Sequence, residues 1–192
     1  MTEMIAGAIA PDEHLVALAR GGDAPAREEL FRRHRAIAYR VAHRCLGNDE
    51  DALDAVQDAF IKALGHLDDF DGRSGFRTWL LKIVTNTSLD AGRRRKRRAT
   101  TPLAQAERDG NEPGIEVDPT VGLRRRDLRD AIDAGLNRLG ADTRATFVLF
   151  AEAGLSYKEI AEAQDVAIGT VMSRIHYARK KLQSFLAGVD GL

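Results

Sequence analysis

The 192-residue sequence is poor in the residues that build disulfide-linked or metal-bound folds. Its single cysteine, Cys45, excludes an intrachain disulfide and a cysteine-rich zinc site. Because Cys45 lies on an apolar helical stripe, we predict a small buried side chain there and not a reactive thiol. The five histidines form no cluster with ligand spacing, so neither a metal site nor another cofactor is expected.

Long hydrophobic runs are missing as well. No apolar stretch approaches the roughly 18 residues of a membrane span. The first ten residues, MTEMIAGAIA, lack the basic start and long apolar core of a signal peptide. A phosphate-binding loop of the form G-x-x-x-x-G-K-[ST] and a nucleophile elbow are absent too. We therefore expect a protein without catalytic activity or a membrane span, located in the cytoplasm.

Net charge is also absent, but the charges are unevenly placed along the chain. Residues 1–70 carry a net charge of −5, residues 71–100 of +7, residues 101–123 of −4 and residues 124–192 of +2. The zero total argues against nucleic-acid binding, whereas a basic block between two acidic ones favours a local phosphate-binding surface.

Apolar residues three and four positions apart recur along most of the sequence, without strand-type alternation of useful length. Residues 99–123 differ because they hold three prolines and three glycines, are acidic and show no helical period. The sequence therefore predicts an all-α fold. Two small helical domains, residues 1–98 and 124–192, are joined by a flexible linker over residues 99–123. The first helix after the linker is expected to begin at about Leu123.

A helix predicted to end at about Leu64 has one apolar and one acidic face. Its predicted buried stripe is Leu53, Val56, Phe60, Ala63 and Leu64. Its acidic face is formed by Asp51, Asp54, Gln57 and Asp58. Carboxylates repel phosphates, so this face is either simply solvated or a docking surface for a basic protein partner.

Two helices near the C-terminus have the pattern of a helix-turn-helix. Ser156 and Glu159 have the spacing of a capping box, which predicts the start of a first helix. A second helix is predicted from near Ile168, with a narrow apolar face of Val171, Ile175, Ala178 and Leu182. The opposite face and its flanks carry small, polar and basic residues: Gly169, Thr170, Ser173, Arg174, His176, Tyr177, Arg179, Lys180 and Lys181. Such a face suits base edges and phosphates in a major groove, although an ordinary helical hairpin with a solvated face has the same pattern.

The basic block continues a helix that has an apolar stripe of its own. Arg93 to Arg98 read RRRKRR, which is either a solvated run or a set of cations fixed against phosphates. Upstream, the loop over residues 65–75 contains Phe70 and Gly72, and aromatic groups beside cations suit unpaired bases. We favour a core position for Trp79 and expect base capture in the loop.

These motifs resemble the extracytoplasmic-function sigma factors, a group within the sigma-70 family. The resemblance covers about residues 12–98 and 123–186. Residues 51–64, DALDAVQDAFIKAL, are similar to region 2.2 of the family, and residues 76–98 to the end of region 2.3 with region 2.4. Residues 155–182, LSYKEIAEAQDVAIGTVMSRIHYARKKL, are similar to region 4.2.

The resemblance implies a sigma factor that binds core RNA polymerase, recognises −10 and −35 promoter elements and opens the −10 region. Docking on the β′ coiled coil is implied for Asp51, Asp54 and Gln57, beside Asp58. Binding of the −10 element is implied for Asn86, Asp90, Arg93 and Arg94, with Arg97 and the loop residues Asp69, Phe70, Asp71 and Gly72. Binding of the −35 element is implied for Thr170, Ser173, Arg174 and Arg179, beside Gly169, Tyr177 and Lys180. Contact with the β flap and an anti-sigma factor partner are implied as well.

Some positions depart from the family's pattern. Met172 replaces a usual lysine, Tyr177 a usual arginine and Asp165 the turn glycine, and Leu139-Gly140 stands where Leu-Pro is usual. The resemblance therefore implies recognition of a −35 element without predicting its bases. A conventional regulator with a C-terminal helix-turn-helix is the alternative, but it leaves the acidic face and the RRRKRR run unexplained.

Overall fold

The structure, a computed structural model, describes residues 10–99 and 119–188, and within them the side chains of residues 10–98 and 128–188. Within these ranges the chain is α-helical apart from turns and one short 3-10 helix, and it has no strand. The predicted all-α fold is confirmed. Most of the predicted flexible linker lies outside the described residues. No helix within these ranges combines the length and the apolar character that a membrane crossing needs.

The first unit consists of four helices and the 3-10 turn. They are α1 (Asp12–Arg20), α2 (Ala24–Leu46), α3 (Asp49–Gly65), the 3-10 turn (Leu67–Asp69) and α4 (Phe76–Ala99). The side chains of Asp23 and Asn48 accept hydrogen bonds from the first turns of α2 and α3. Gly47 ends α2 with φ 77°, a left-handed conformation that glycine adopts without steric cost.

The second unit consists of α5 (Pro119–Asn137), α6 (Ala141–Ala151), α7 (Tyr157–Gln164) and α8 (Ile168–Leu186). The predicted start of α5 at about Leu123 is wrong, because the helix begins at Pro119. Proline suits the first position of a helix, where its missing N–H has no intrahelical role. Pro119, which was counted among the prolines of the predicted linker, is therefore the first residue of a helix.

The buried face of α3 differs from the predicted one. Leu53 is 59% exposed, while the small residues Ala52, Ala55 and Ala59 are buried between α2 and α4. Alanines allow the three helices to approach closely, so the helix presents them inward and turns the larger leucine out. The prediction that Leu53 belongs to the core is wrong.

Cys45 lies partly buried against the core at the C-terminal end of α2. Burial raises the pKa of its thiol to about 12. Since the thiolate is the reactive form, the thiol is inert at neutral pH, in agreement with the predicted packing role.

The two units touch. α6 packs on α2, and both α6 and α7 pack on α4. The buried apolar residues of both units form one continuous cluster, from Leu15 in α1 to Leu182 in α8. The contact between the units is therefore part of the core and involves more than surface charges.

Candidate nucleic-acid and polymerase interfaces

α7 and α8 form the predicted helix-turn-helix. The capping box is confirmed, because the Ser156 hydroxyl accepts from the backbone N–H of Glu159 and the Glu159 carboxylate accepts from the N–H of Ser156. The backbone N–H of Ser156 and, at 2.7 Å, its hydroxyl both donate to the Glu159 carboxylate, which lowers the pKa of that carboxyl. Asp165 ends α7 with φ 52°. Aspartate tolerates this left-handed conformation better than most residues, so the tight turn forms without the usual glycine.

α8 presents a polar face opposite its buried stripe. The predicted stripe is confirmed, since Val171, Ile175, Ala178 and Leu182 are all buried. The exposed side chains of the opposite face are Met172, Ser173, His176, Tyr177 and Lys180, beside Gly169, and Thr170 is half-buried. The Ser173 hydroxyl donates to the carbonyl oxygen of Gly169 at 3.0 Å, so it keeps lone pairs for a ligand. The face combines short polar groups with a single lysine among them.

Two arginines predicted to contact the −35 element lie on opposite flanks of α8. Arg174 is half-buried and donates to Gln164 at 3.3 Å and to Thr146 at 3.4 Å. The guanidinium of Arg179 lies 5.0 Å from the ring centre of Phe150 in α6. Both cations are held by contacts within the second unit, so they frame the polar face and are not part of it.

The C-terminal half of α4 is the basic surface of the first unit. From Asn86 to its C-terminal end, the helix presents the exposed side chains of Asn86, Asp90, Arg93, Arg94 and Arg97. Arg93 is ion-paired with Asp90 at 2.9 Å. One residue of the basic run turns inward: Arg95 is half-buried and donates to Asp51 at 2.6 Å and to the carbonyl oxygen of Leu46 at 2.9 Å. Sequence patterns alone did not distinguish Arg95 from its neighbours.

The loop before α4 is ordered around a buried aromatic residue. Phe70 is only 5% exposed, and its ring lies 5.3 Å from that of Trp79 and 6.0 Å from that of Phe76. The side chain of Arg20 donates to the carbonyl oxygen of Phe70. Phe70 therefore anchors the loop in the core, and its burial contradicts the expectation that its ring faces bases.

The other loop residues that were predicted to bind the −10 element are accessible. Asp69, Asp71 and Gly72 are exposed, and Gly72 has φ 73°. The carboxylate of Asp71 accepts from the backbone N–H of Arg73 at 3.0 Å. These polar groups form the accessible surface of the predicted base-capture loop.

The acidic face of α3 borders the basic half of α4. Asp54, Gln57 and Asp58 are exposed, whereas Asp51 is half-buried between Asn48 and Arg95. A cleft between the two helices is lined by acidic residues from α3, Asp51, Asp54 and Asp58, and by basic residues from α4, Arg94, Arg95 and Arg98. The two opposite charges thus lie on adjacent surfaces of one unit.

Exposed apolar side chains flank this acidic face. Leu53 is 59% exposed and Ile61 is 63% exposed. They lie about one helical turn before and after Gln57 on α3. The apolar period of the helix did not indicate this exposure, because it places Leu53 in the core. The alanines at positions 52, 55 and 59 would have indicated the exposure of Leu53, because their helical spacing marks the buried side of α3.

Family models match both units. The model for sigma-70 region 2 matches residues 30–98, and the model for sigma-70 region 4 matches residues 129–182. Together they cover α4 with its basic half, α3 with its acidic face and the helix-turn-helix. The class they define is the promoter-specificity subunit of bacterial RNA polymerase.

Curated relatives narrow the class. The sigma factor SigE of Mycolicibacterium smegmatis is 37% identical over 85% of this chain, which spans 62% of that relative's length. SigW of Bacillus subtilis is 32% identical over 86% of this chain and 91% of the relative. The sigma-E factor of Escherichia coli is 33% identical over 90% of this chain and 93% of the relative. All three carry the description "ECF RNA polymerase sigma" factor.

Solved structures agree. CnrH, in complex with the cytosolic domain of CnrY, matches with a TM-score of 0.69 and 28% identity over 92% of this chain and 97% of CnrH. The sigma factor RpoE of Bartonella quintana, in complex with the anti-sigma factor NepR, matches with a TM-score of 0.65 and 28% identity over 84% of this chain and 96% of RpoE. The chain therefore belongs to the sigma-70 family, in its extracytoplasmic-function group, and directs promoter-specific initiation of transcription by RNA polymerase.

Proposed function

We propose that the two units divide promoter recognition between them. α8 recognises the −35 element in the major groove, and α4 with the loop before it binds and opens the −10 element. The acidic face of α3 binds the β′ coiled coil of core polymerase. The protein has no catalytic activity and needs no cofactor, and it acts in the cytoplasm, where polymerase and promoters are found.

The observation that best supports this proposal is the separation of charge within the first unit, between the acidic face of α3 and the cations of α4. Asp54, Gln57 and Asp58 lie exposed on α3, next to the exposed cations of α4. A surface of carboxylates repels DNA and attracts a basic protein partner, whereas a row of arginines attracts phosphates. One unit with both surfaces is suited to binding a protein and a nucleic acid at once.

The −35 assignment is supported by the composition of the exposed face of α8. Gly169 and Ser173 leave room for base edges near the start of the helix, and Lys180 lies further along the same face. In a helix-turn-helix the first residues of the second helix contact bases. The exposed ring of Tyr177 and the exposed Met172 add apolar surface that suits a thymine methyl group.

The −10 assignment is supported by the position of the loop next to the cations of α4. Once the duplex is open, arginines on α4 hold the phosphates of one strand, and the polar groups of Asp69, Asp71 and Gly72 contact an unstacked base. The free energy of binding the exposed strand offsets the cost of opening. No nucleotide hydrolysis is needed for this step.

An anti-sigma factor is proposed as a further partner. Two of the solved relatives form complexes, CnrH with the cytosolic domain of CnrY and RpoE with NepR. A partner that covers the charged surfaces of the first unit blocks access of both polymerase and DNA. The β flap of polymerase is proposed as the second contact of the C-terminal unit.

The test is a double variant of the full chain, Asp54→Ala/Gln57→Ala, compared with a control, Glu13→Ala/Glu28→Ala, which changes exposed residues outside the acidic face. We expect at least a roughly tenfold loss of core-polymerase affinity in the first and none in the control. Binding to a −35 duplex without polymerase stays unchanged in both. Equal core affinity of the two double variants contradicts the proposed docking face.

A further inference from the structure

Arg20, the last residue of α1, joins that helix to the loop before α4 through its side chain. Its Nε atom donates to the carbonyl oxygen of Leu67 at 3.0 Å, and its Nη2 atom donates to the carbonyl oxygen of Phe70. The guanidinium also lies 5.9 Å from the ring centre of Phe70. A single side chain therefore holds both ends of the 3-10 turn, which lies between these two carbonyl groups.

This contact suits an arginine in particular. A guanidinium is planar and presents its N–H donors in a fixed fork, so donors that bind two carbonyl groups also fix the separation of those groups. The carbonyl oxygen of Leu67 accepts in addition from the backbone N–H of Phe70 at 3.1 Å, the hydrogen bond that closes the turn. Arg20 thus reinforces the turn and fixes its position relative to α1.

The helix that carries Arg20 is itself held at both ends by α2. Near its start, the Asp12 carboxylate lies 2.6 Å from Nε2 of the buried His34 and accepts from Arg33 at 3.0 Å. At its C-terminal end, Arg27 donates to the carbonyl oxygen of Ala19 at 3.0 Å. Groups that act on a ligand are positioned most precisely by rigid elements. α1 therefore gives Arg20 a fixed base from which to hold the loop.

The two carbonyl groups lie next to the exposed residues of the loop. Leu67 is 3% and Phe70 is 5% exposed, whereas Asp69 and Asp71 are exposed. Asp69 lies between the two buried residues, and the carbonyl group of Phe70 belongs to the peptide that Phe70 shares with Asp71. Arg20 therefore fixes the points at which the exposed part of the loop leaves the core.

We propose that Arg20 is a positioning residue for recognition of an unpaired base of the −10 element. Arg20 does not contact the base; through two carbonyl groups it holds Asp69, Asp71 and Gly72 in the arrangement that accepts the base. This inference rests on the proposed function of the loop. Without Arg20 the loop samples several arrangements, and affinity falls with the fraction of molecules in the competent one.

A cation in this place has a second conceivable role, direct binding of a phosphate, which makes a different prediction. Two of the three guanidinium nitrogen atoms of Arg20 already donate to carbonyl groups. Loss of a phosphate contact weakens binding of all single strands alike and reduces the slope of log K against log salt by about 0.7. Loss of a positioning residue weakens only the recognition of the captured base.

The experiment uses holoenzyme assembled from core polymerase and the full chain, either wild type or Arg20→Met. Methionine keeps a long side chain and removes the donors. The probes are a fluorescent single strand with the −10 element of a promoter found by start-site mapping, and strands in which each nucleotide of that element is abasic in turn. Fluorescence anisotropy gives their affinities. Intact and abasic strands carry the same phosphates, so a uniform electrostatic loss cancels in the ratio of affinities.

We expect the wild type to bind the intact strand more tightly than the strand without the captured base. Arg20→Met should lower that ratio roughly tenfold, as expected for the loss of hydrogen bonds to a charged group, and should leave the salt slope unchanged. Arg20→Lys should give an intermediate ratio, because an ammonium group has no fork. The control Arg35→Met, at an exposed position on α2, should keep the wild-type ratio.

The failures of this inference and of the proposed function differ. A wild-type ratio with Arg20→Met overturns the inference, as does an unchanged ratio with a salt slope reduced by about 0.7, which would assign Arg20 to a phosphate. A wild type that binds every abasic strand as tightly as the intact one overturns the proposed function of the loop and the inference with it. Core-polymerase affinity reports folding; if Arg20→Met loses it, Arg20→Lys takes its place, and a wild-type ratio with Arg20→Lys overturns the inference.

Discussion

The C-terminal half of α4 and the exposed face of α8 both present cations, but they differ in how the cations are arranged. On α4 the cations are contiguous, from Arg93 to Arg98, and one of them turns inward. On α8 a single lysine lies among glycine, serine and tyrosine, and Arg174 and Arg179 are held on the flanks. Contiguous cations suit a phosphate backbone, and interspersed short polar groups suit base edges. The difference indicates that the two helices recognise different states of DNA.

The largest expected effect comes from removing the support under α8. Ile175 is 1% exposed in the stripe that holds α8 against the second unit. Ile175→Ala should lower the free energy of unfolding by about 2–5 kcal/mol, through reduced transfer energy and a cavity. Chemical denaturation measures it. The control Met172→Ala, at a position 53% exposed, should change stability by less than about 0.5 kcal/mol. If Ile175→Ala and Met172→Ala lowered the free energy of unfolding equally, the proposed buried face of α8 would be contradicted.

The helix-turn-helix start should show a smaller effect. Ser156→Ala removes the side-chain acceptor of the capping box and should cost about 1 kcal/mol. The matched control is Ser184→Ala, at an exposed position on α8. Thermal unfolding of both variants gives the comparison. A Ser184→Ala destabilisation as large as that of Ser156→Ala would contradict the capping role.

Salt dependence separates the two helices directly. Removing one cation that binds a phosphate should reduce the slope of log K against log salt by about 0.9 for duplex DNA and by about 0.7 for a single strand. We expect Lys180→Ala to reduce the slope for a −35 duplex and leave that for a −10 single strand unchanged. Arg94→Ala should do the opposite. Filter binding over a salt series tests both variants. A reduced slope for the −10 single strand with Lys180→Ala, or for the −35 duplex with Arg94→Ala, would contradict the assignment of α8 to the −35 element and of α4 to the −10 element.

The smallest effect is a pH dependence at Glu159. The hydrogen bonds from Ser156, and then that from Thr78, hold the pKa of this carboxyl below its ordinary value of 4.5. Its contribution to stability is therefore complete above pH 4.5 and is lost as the pH falls through the lowered pKa. Glu159→Gln should flatten that part of the profile of melting temperature against pH. An unchanged profile would mean that the carboxyl is not part of the cap.

Local signals predicted the helix-turn-helix well, because its determinants lie within a few residues of one another. The capping box at Ser156 and the start of α8 at Ile168 follow from neighbouring side chains and the apolar period. Two other positions could not be assigned this way. Leu53 is exposed because alanines of the same helix meet α2 and α4, and Phe70 is buried because Phe76 and Trp79 pack around it.

The surfaces were predicted more reliably than their internal contacts. The acidic face of α3 and the basic run from Arg93 to Arg98 on α4 are exposed, apart from Asp51 and Arg95, which bind one another. The pairing of Arg44 with Asp133 joins residues far apart in the sequence. No periodicity in the chain indicates such pairs, because they depend on how the two units meet.

The measurement that tests the account most directly is start-site mapping of transcripts made in vitro. Purified core polymerase is supplied with the full chain and a genomic promoter library, with core alone and with the Asp54→Ala/Gln57→Ala variant as controls. We predict transcripts from a defined set of starts that share sequence elements near −10 and −35, and their strong reduction with the variant. Transcripts that do not differ from those of core alone would contradict the account.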